Sequence, residues 1–256
     1  MAGSDEQQVV APQKGSIMGG RGLAAALQRT ATPQQRGGDR AGSGGSVITL
    51  RGSTETVVEF FGYAISSILY QRGVYPADRF APVSKYGLSI LVVQEESLKR
   101  FVGEVLQRLR GWMLRSQVKK LVVVIASQAT GETLERWTFN VQVHEEVAEE
   151  DGVVSRSQAD AVREQKEIQA IIRQITASVT FLPLLDEPCS FDLLVYTDKA
   201  AEVPEAWDES DPKYIVGGCQ QVKLRSFSTK IHKVDGAVAY RYDEHEPSDR
   251  CKELGA

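Results

Sequence analysis

From about position 47 the chain alternates between stretches of helical and of two-residue periodicity, and these predict its elements. Val57, Phe60, Phe61, Ala64, Ile65, Ile68 and Leu69 recur at the three-and-four spacing of one helix face. Ser53 reads as the N-cap with Glu55 in the first turn, and Gly73 and Pro76 stop the helix. Its apolar stripe is wide enough for a central core helix packed on a sheet. A second helix is expected over 95–115, with Leu98, Phe101, Val102, Val105, Leu106, Leu109, Trp112 and Met113 on one face. Gly103 and Gly111 each weaken it by about 1 kcal/mol relative to Ala, which suggests close packing at those points. A third helix, capped by Ser157, carries Val162, Ile168, Ile171, Ile172, Ile175 and Val179 and cannot continue through Pro183.

The strand signals lie between and after these helices. Residues 86–93 read as a strand after a Pro-punctuated loop, and 121–125 is an apolar run of strand length. Beyond a turn at 129–132, Trp137, Phe139, Val141 and Val143 alternate with Thr138, Asn140 and Gln142, which gives a hairpin whose return strand has one wet face. In 189–197, Phe191, Leu193 and Val195 fall on one face and Asp192, Leu194 and Tyr196 on the other, so both faces want cover while an edge stays open. The unpaired N–H and C=O groups of that edge must pair with the chain's own tail or with another polypeptide. Residues 198–218, with Pro204, Trp207, Pro212, Gly217 and Gly218, read as an irregular loop. Val222, Leu224, Ser226 and Ser228 then alternate with Lys223, Arg225 and Phe227, and Asp235-Gly236 between two apolar-containing runs signals a tight hairpin. A hairpin alone is marginal and must dock on a sheet. Three helices separated by hairpins indicate an α+β domain with a mainly antiparallel sheet.

Composition changes this picture at the ends. The 256 residues are 42% hydrophobic and 25% charged, ordinary for a globular domain. Residues 1–46 carry five Lys/Arg against three Asp/Glu, so the net charge of −4 becomes −6 over the remainder, with no strongly basic face for nucleic acid. That first segment, rich in Gly, Gln, Ala and Ser, is expected to be a disordered tail. Glu145, Glu146, Glu149, Glu150 and Asp151 read as a solvated acidic loop. No apolar run approaches the length of a membrane span, and Cys189, Cys219 and Cys251 are so widely spaced that they suit a reducing compartment. A phosphate loop, a nucleophile elbow and a His-Glu-x-x-His helix are absent from the sequence, so neither a cofactor nor a metal is expected. A nucleophilic Cys189 paired with His232 is the only enzymatic arrangement to weigh, and an apolar strand start suits Cys189 better as a core residue.

The segments 48–53, 59–61, 67–73, 121–125, 134–137, 172–177, 179–185, 189–194 and 231–234 together resemble the spindle-checkpoint branch of the HORMA-domain family. The match runs from about Val47 to Tyr242. It implies a HORMA domain over 47–242, with a core at 47–197 and a mobile "safety belt" at 198–242, followed by a flexible tail at 243–256. Members switch between open and closed folds; in the closed one the C-terminal segment moves to the far edge of the sheet and wraps a short peptide paired as a strand. The docking edge would be Ser190, Phe191, Asp192, Leu193, Leu194, Val195, Tyr196 and Thr197. The belt residues would be Trp207, Leu224, Phe227, Ile231, His232, Val234 and Tyr240, and the surface for open–closed self-association Arg173, Gln174 and Phe181. Implied partners are a coiled-coil kinetochore scaffold, the activator of the anaphase-promoting complex, a second copy of the chain, and a remodelling ATPase with its adaptor, in nucleus and cytoplasm and at the mitotic kinetochore and spindle. Chromosome-axis or DNA-polymerase accessory adaptors of the same family are the alternative. The long N-terminal extension and the Asp235-Gly236 turn depart from the family pattern.

Overall fold

The computed structural model describes residues 7–12, 46–144 and 153–242. In chain order these form β1 (Gln7–Pro12), β2 (Ser46–Thr49), α1 (Leu50–Gln71), β3 (Phe80–Lys85), β4 (Leu88–Val93), α2 (Glu96–Met113), β5 (Val118–Ser127), β6 (Thr133–Val143), β7 (Val153–Arg156), α3 (Gln158–Ala177), β8 (Cys189–Asp198), β9 (Trp207–Glu209), β10 (Cys219–Ser228) and β11 (His232–Arg241). Seven strands make one antiparallel sheet in the order β10-β11-β6-β5-β8-β1-β9, and β2–β7 and β3–β4 are separate pairs.

The strand alternation divides the apolar residues between the sheet's two faces. Leu121, Val123, Ile125, Leu193 and Val195 join the main core with α1, while Val122, Val124, Leu194 and Tyr196 form a small cluster on the outer face. On the helical face α1 contacts both α2 and α3. Its Phe60 packs edge-on against Phe139 of β6 (5.7 Å between centroids) and Phe227 of β10 (4.9 Å), so α1 reads the central sheet and the C-terminal hairpin at once. Arg72 terminates α1 and turns into the core. Its Nε donates to Glu135 Oε1 (2.8 Å) and a terminal nitrogen to the Pro183 carbonyl (2.5 Å), while Trp137 Nε1 donates to Glu135 Oε2 (3.0 Å). Helix end, β6 and the 181–185 segment are thereby tied at one buried, hydrogen-bonded ion pair.

Several local expectations are corrected. The tail assigned to 1–46 contains β1: Val9 and Val10 offer β-branched residues to an open edge, and Val10 is fully buried. Helix α1 begins earlier than Ser53, because β2 ends at Thr49, whose Oγ1 accepts from Gly52 N (3.1 Å) and caps the helix; Glu55 then lies beyond the first turn and faces Arg110. The Pro-punctuated loop contains β3, and Tyr86 lies in the β3–β4 turn at φ 51°. No neighbouring atom lies within 4 Å of a Cβ placed at Gly103 or Gly111, so neither marks a close approach. Ser157 caps α3 as expected, in a capping box with Asp160, but Val162 and Val179 are exposed and the buried stripe is Ile168, Ile171, Ile172 and Ile175. Cys189 is a buried free thiol whereas Cys219 is disulfide-bonded, because separation in sequence does not measure separation in space. The acidic run 145–151, residues 13–45 and the 243–256 tail lie outside the described residues.

Candidate peptide-binding site

Strand β8 is paired with β5 from Cys189↔Ser127 to Thr197↔Val118. Its other edge is filled over 195–198 by β1, in the register Val10↔Val195, Val9↔Tyr196, Gln8↔Thr197 and Gln7↔Asp198. The side chains of β1 obey the same alternation as β8: Val10 enters the main core, and Val9 and Ala11 pack on the outer cluster of Leu194 and Tyr196. Of the eight edge residues read from the sequence, Val195, Tyr196 and Thr197 are those in register with β1, while Ser190, Phe191, Asp192, Leu193 and Leu194 lie on the same strand in register with β5. Phe191 points to the helices, where it meets Tyr75 and Phe101 edge-on.

Beyond Asp198 the chain crosses to the far side of β1. Strand β9 pairs there in the register Val10↔Glu209, Ala11↔Asp208 and Pro12↔Trp207, and Ser210 N donates to Val9 O (2.9 Å). Gln8 Nε2 donates to the carbonyls of Ala201 (3.0 Å) and Asp198 (3.3 Å), which ties the turn after β8 to the strand. Trp207 is buried and edge-on to Trp112 of α2 (5.0 Å, 86°), and Trp112 Nε1 donates to Glu202 O (3.1 Å). Two large rings therefore fasten the segment after Asp198 to the core. Further on, the Arg136 guanidinium stacks on the Tyr214 ring (4.7 Å) and donates to the Tyr196 hydroxyl (3.1 Å), and Ile215 is buried. The chain then reaches β10 at the opposite edge of the sheet. Strand β1 is thus flanked by β8 and β9 and enclosed by the segment running on to β10.

The C-terminal hairpin docks on β6 through β11, from His232↔Val143 to Tyr240↔Glu135. Its turn is at 229–231, with Lys230 at φ 76°, and not at Asp235-Gly236. Gly236 sits within β11, where a Cβ would come within 3.1 Å of Leu224 and 3.4 Å of Phe139. Close approach, not a turn, is what requires glycine there. A register shift between Lys223 and Ser226 turns both Leu224 and Phe227 inward, which strict alternation would have placed on opposite faces. Gln174 of α3 satisfies the bulged backbone, accepting from Arg225 N (2.8 Å) and donating to Lys223 O (3.4 Å). Of the three residues read as a self-association surface, Gln174 therefore also holds the docked hairpin, while Arg173 and Phe181 are exposed.

The hairpin turn is also tied to α1. Ser53 Oγ lies between Thr229 Oγ1 (2.5 Å) and His232 Nδ1 (2.6 Å), and His232 N donates to Thr229 Oγ1 (2.9 Å). Burial, aided by nearby His144, pushes the His232 pKa down to about 4, so the ring is neutral here. Ile231, Val234 and Tyr240, the other belt residues read from the sequence, are buried as well. A Cys189–His232 pair does not form. Cys189 lies by the Thr133 end of β6 and His232 opposite Val143, about 30 Å of strand away, and burial raises the Cys189 pKa. Among the described residues there is no cluster of His, Cys, Asp and Glu able to hold a metal, and no helix long and apolar enough to cross a membrane. Sequence reasoning missed β1, β3 and the Arg136–Tyr214 stack; the Val9-Val10 pair was the available signal for β1.

The HORMA domain model matches residues 53–232. Similar proteins include the mitotic spindle assembly checkpoint protein MAD2A of Mus musculus, 51% identical over 76% of this chain and 93% of that protein. The Dictyostelium discoideum MAD2A is 54% identical over the same shares, and the Saccharomyces cerevisiae spindle checkpoint component MAD2 44% identical over 76% and 98%. Among solved structures, a chain of the mitotic checkpoint complex matches at a TM-score of 0.68 with 49% identity, over 75% of this chain and 99% of that one. Caenorhabditis elegans HTP-2 bound to the HIM-3 closure motif matches at 0.60 with 16% identity, over 75% and 91%, a likeness of fold alone. The chain belongs to the HORMA-domain family and, within it, to the MAD2 proteins of the mitotic spindle assembly checkpoint.

Proposed function

We propose that this chain is a peptide-capturing switch of the spindle checkpoint: it holds an extended partner segment against the edge of β8, beneath 198–218, with its C-terminal hairpin docked on β6. The enclosed strand at Val195–Asp198 carries this reading, since a segment there gains backbone pairing on both flanks and a buried apolar position. The partners on this reading are the coiled-coil kinetochore scaffold and the activator of the anaphase-promoting complex, and holding the activator delays anaphase. It places the chain at the kinetochore and spindle in mitosis. Binding, not catalysis, is the activity. The β8 edge and the β6 edge are alternative docks for the hairpin, and a difference of a few kcal/mol between them makes a bistable element. Arg173, Gln174 and Phe181 form the surface by which open and closed copies meet.

Fluorescence anisotropy with synthetic scaffold and activator peptides tests this. Full-length chain is expected to bind both and release them slowly, and Trp207→Ala to speed release at least ~10-fold by freeing the belt from α2. Tight, slow binding by a chain ending at Asp198 would overturn the assignment, because that chain has neither β9 nor the hairpin.

A further inference from the structure

In this structure the β8 edge is filled over Val195–Asp198 by the chain's own residues. We infer that residues 7–12 are a built-in ligand, an intramolecular strand that occupies the peptide site of its own chain and must be displaced before a partner segment enters. This rests on the reading of the β8 edge as a peptide site. The fit is in kind as well as place. Val10 is aimed into the core at full burial, and Val9 and Ala11 lie on the outer cluster. Pro12, which has no N–H, stands at the strand's end opposite Trp207, where a missing donor is tolerated. Gln8 is bonded through its side chain to both ends of the first belt turn, at Asp198 and Ala201. These contacts define the ligand class: an extended segment with an inward β-branched residue, small or β-branched outward neighbours, and an amide side chain two residues before the inward one.

Occupation in cis is within reach. Residues 13–45 span up to about 110 Å when extended, against a diameter of about 45 Å for a domain of about 200 residues. A tether of this order gives an effective concentration of about 1 mM. A strand that binds with a Kd of about 30 µM when free would then weaken an external peptide by about 30-fold. The N-terminal extension thus sets a threshold on capture and fills the edge when no partner is present.

The test uses two fluorescein-labelled probes, a peptide of residues 5–14 of this chain and a kinetochore-scaffold peptide, with full-length wild type, Val10→Asp and Val10→Ile. Val10→Asp, which puts a carboxylate into the core, is expected to bind both probes at least ~30-fold more tightly than wild type, and Val10→Ile to behave as wild type. Equal binding of the 5–14 probe to wild type and Val10→Asp, or none to folded Val10→Asp, overturns the inference; scaffold-peptide binding in the same experiment keeps the capture reading standing. Conversely, 5–14 binding that appears in Val10→Asp without any scaffold-peptide binding upholds the built-in strand and overturns the proposed partners. A wild-type dimer that Val10→Asp converts to monomer overturns occupation in cis in favour of exchange between copies. Should Val10→Asp not fold, a protease site inserted within 13–45 and cut after folding replaces it: uptake of the 5–14 probe is expected to rise at least ~30-fold on cutting, and unchanged uptake overturns the inference.

Discussion

Acid should loosen the docked hairpin through a single imidazole. His232 is buried at the start of β11, with Nδ1 against Ser53 Oγ, and its pKa falls from 6.5 to about 4, chiefly by desolvation. The folded pKa lies below the unfolded one, so between pH 4 and 6.5 the unfolded chain binds more protons, and stability falls as pH falls. The contribution is fully present above pH 6.5 and lost towards pH 4. A drop of that size corresponds to about 3 kcal/mol in full, of which about 2 kcal/mol is lost between pH 7 and pH 5. Other groups titrate in that range too, so the comparison is with His232→Asn, whose amide can face Ser53 without taking up a proton. Urea unfolding at both pH values is expected to show wild type losing about 2 kcal/mol more than the variant. Equal losses, or an NMR titration placing His232 near 6.5, would show that burial does not hold the ring neutral.

Glu135→Ala leaves the Arg72 guanidinium buried without its carboxylate and should lower stability by about 3–5 kcal/mol in urea unfolding. Phe227→Ala removes the ring that packs on Phe60 and should destabilise the docked hairpin by about 3–5 kcal/mol, read both in unfolding and as faster release of a bound scaffold peptide. Gly236→Ala pushes a Cβ towards Leu224 and Phe139 and should cost about 1–3 kcal/mol; an unchanged denaturation midpoint would show that β11 has room to shift. Arg173→Glu combined with Gln174→Ala is expected to give a folded monomer that still captures peptide but no longer self-associates in sedimentation, with about 1 kcal/mol lost from the contacts of Gln174 to the β10 bulge.

The three helices and the strands at 118–127, 133–143 and 189–198 were legible because each buries a stripe or face that shows as periodicity. What was illegible depended on partners distant in sequence. Asp235-Gly236 carries a local turn signal, yet the space it needs is dictated by Leu224 and Phe139, and the real turn at 229–231 is held by Ser53. Leu224 and Phe227 break strict alternation because a bulge, held by Gln174, comes between them. Ser53 looks like a cap but is a buried anchor, because β2 moves the start of α1 back to Leu50. At the site, the need of the 189–197 edge for a partner was visible in the pattern. That residues 7–12 supply it was masked by the Gly-rich composition around them, within which Val9 and Val10 are a two-residue signal.

Residue-resolved amide hydrogen exchange on the full-length chain, with and without the kinetochore-scaffold peptide, tests the β8 edge most directly. Gln8, Val9 and Val10, in register with β8, are expected to be protected in the free chain and to lose protection when the peptide binds, while β11 stays protected on β6. Peptide binding that leaves Gln8–Val10 protected would place the captured segment elsewhere and contradict that expectation.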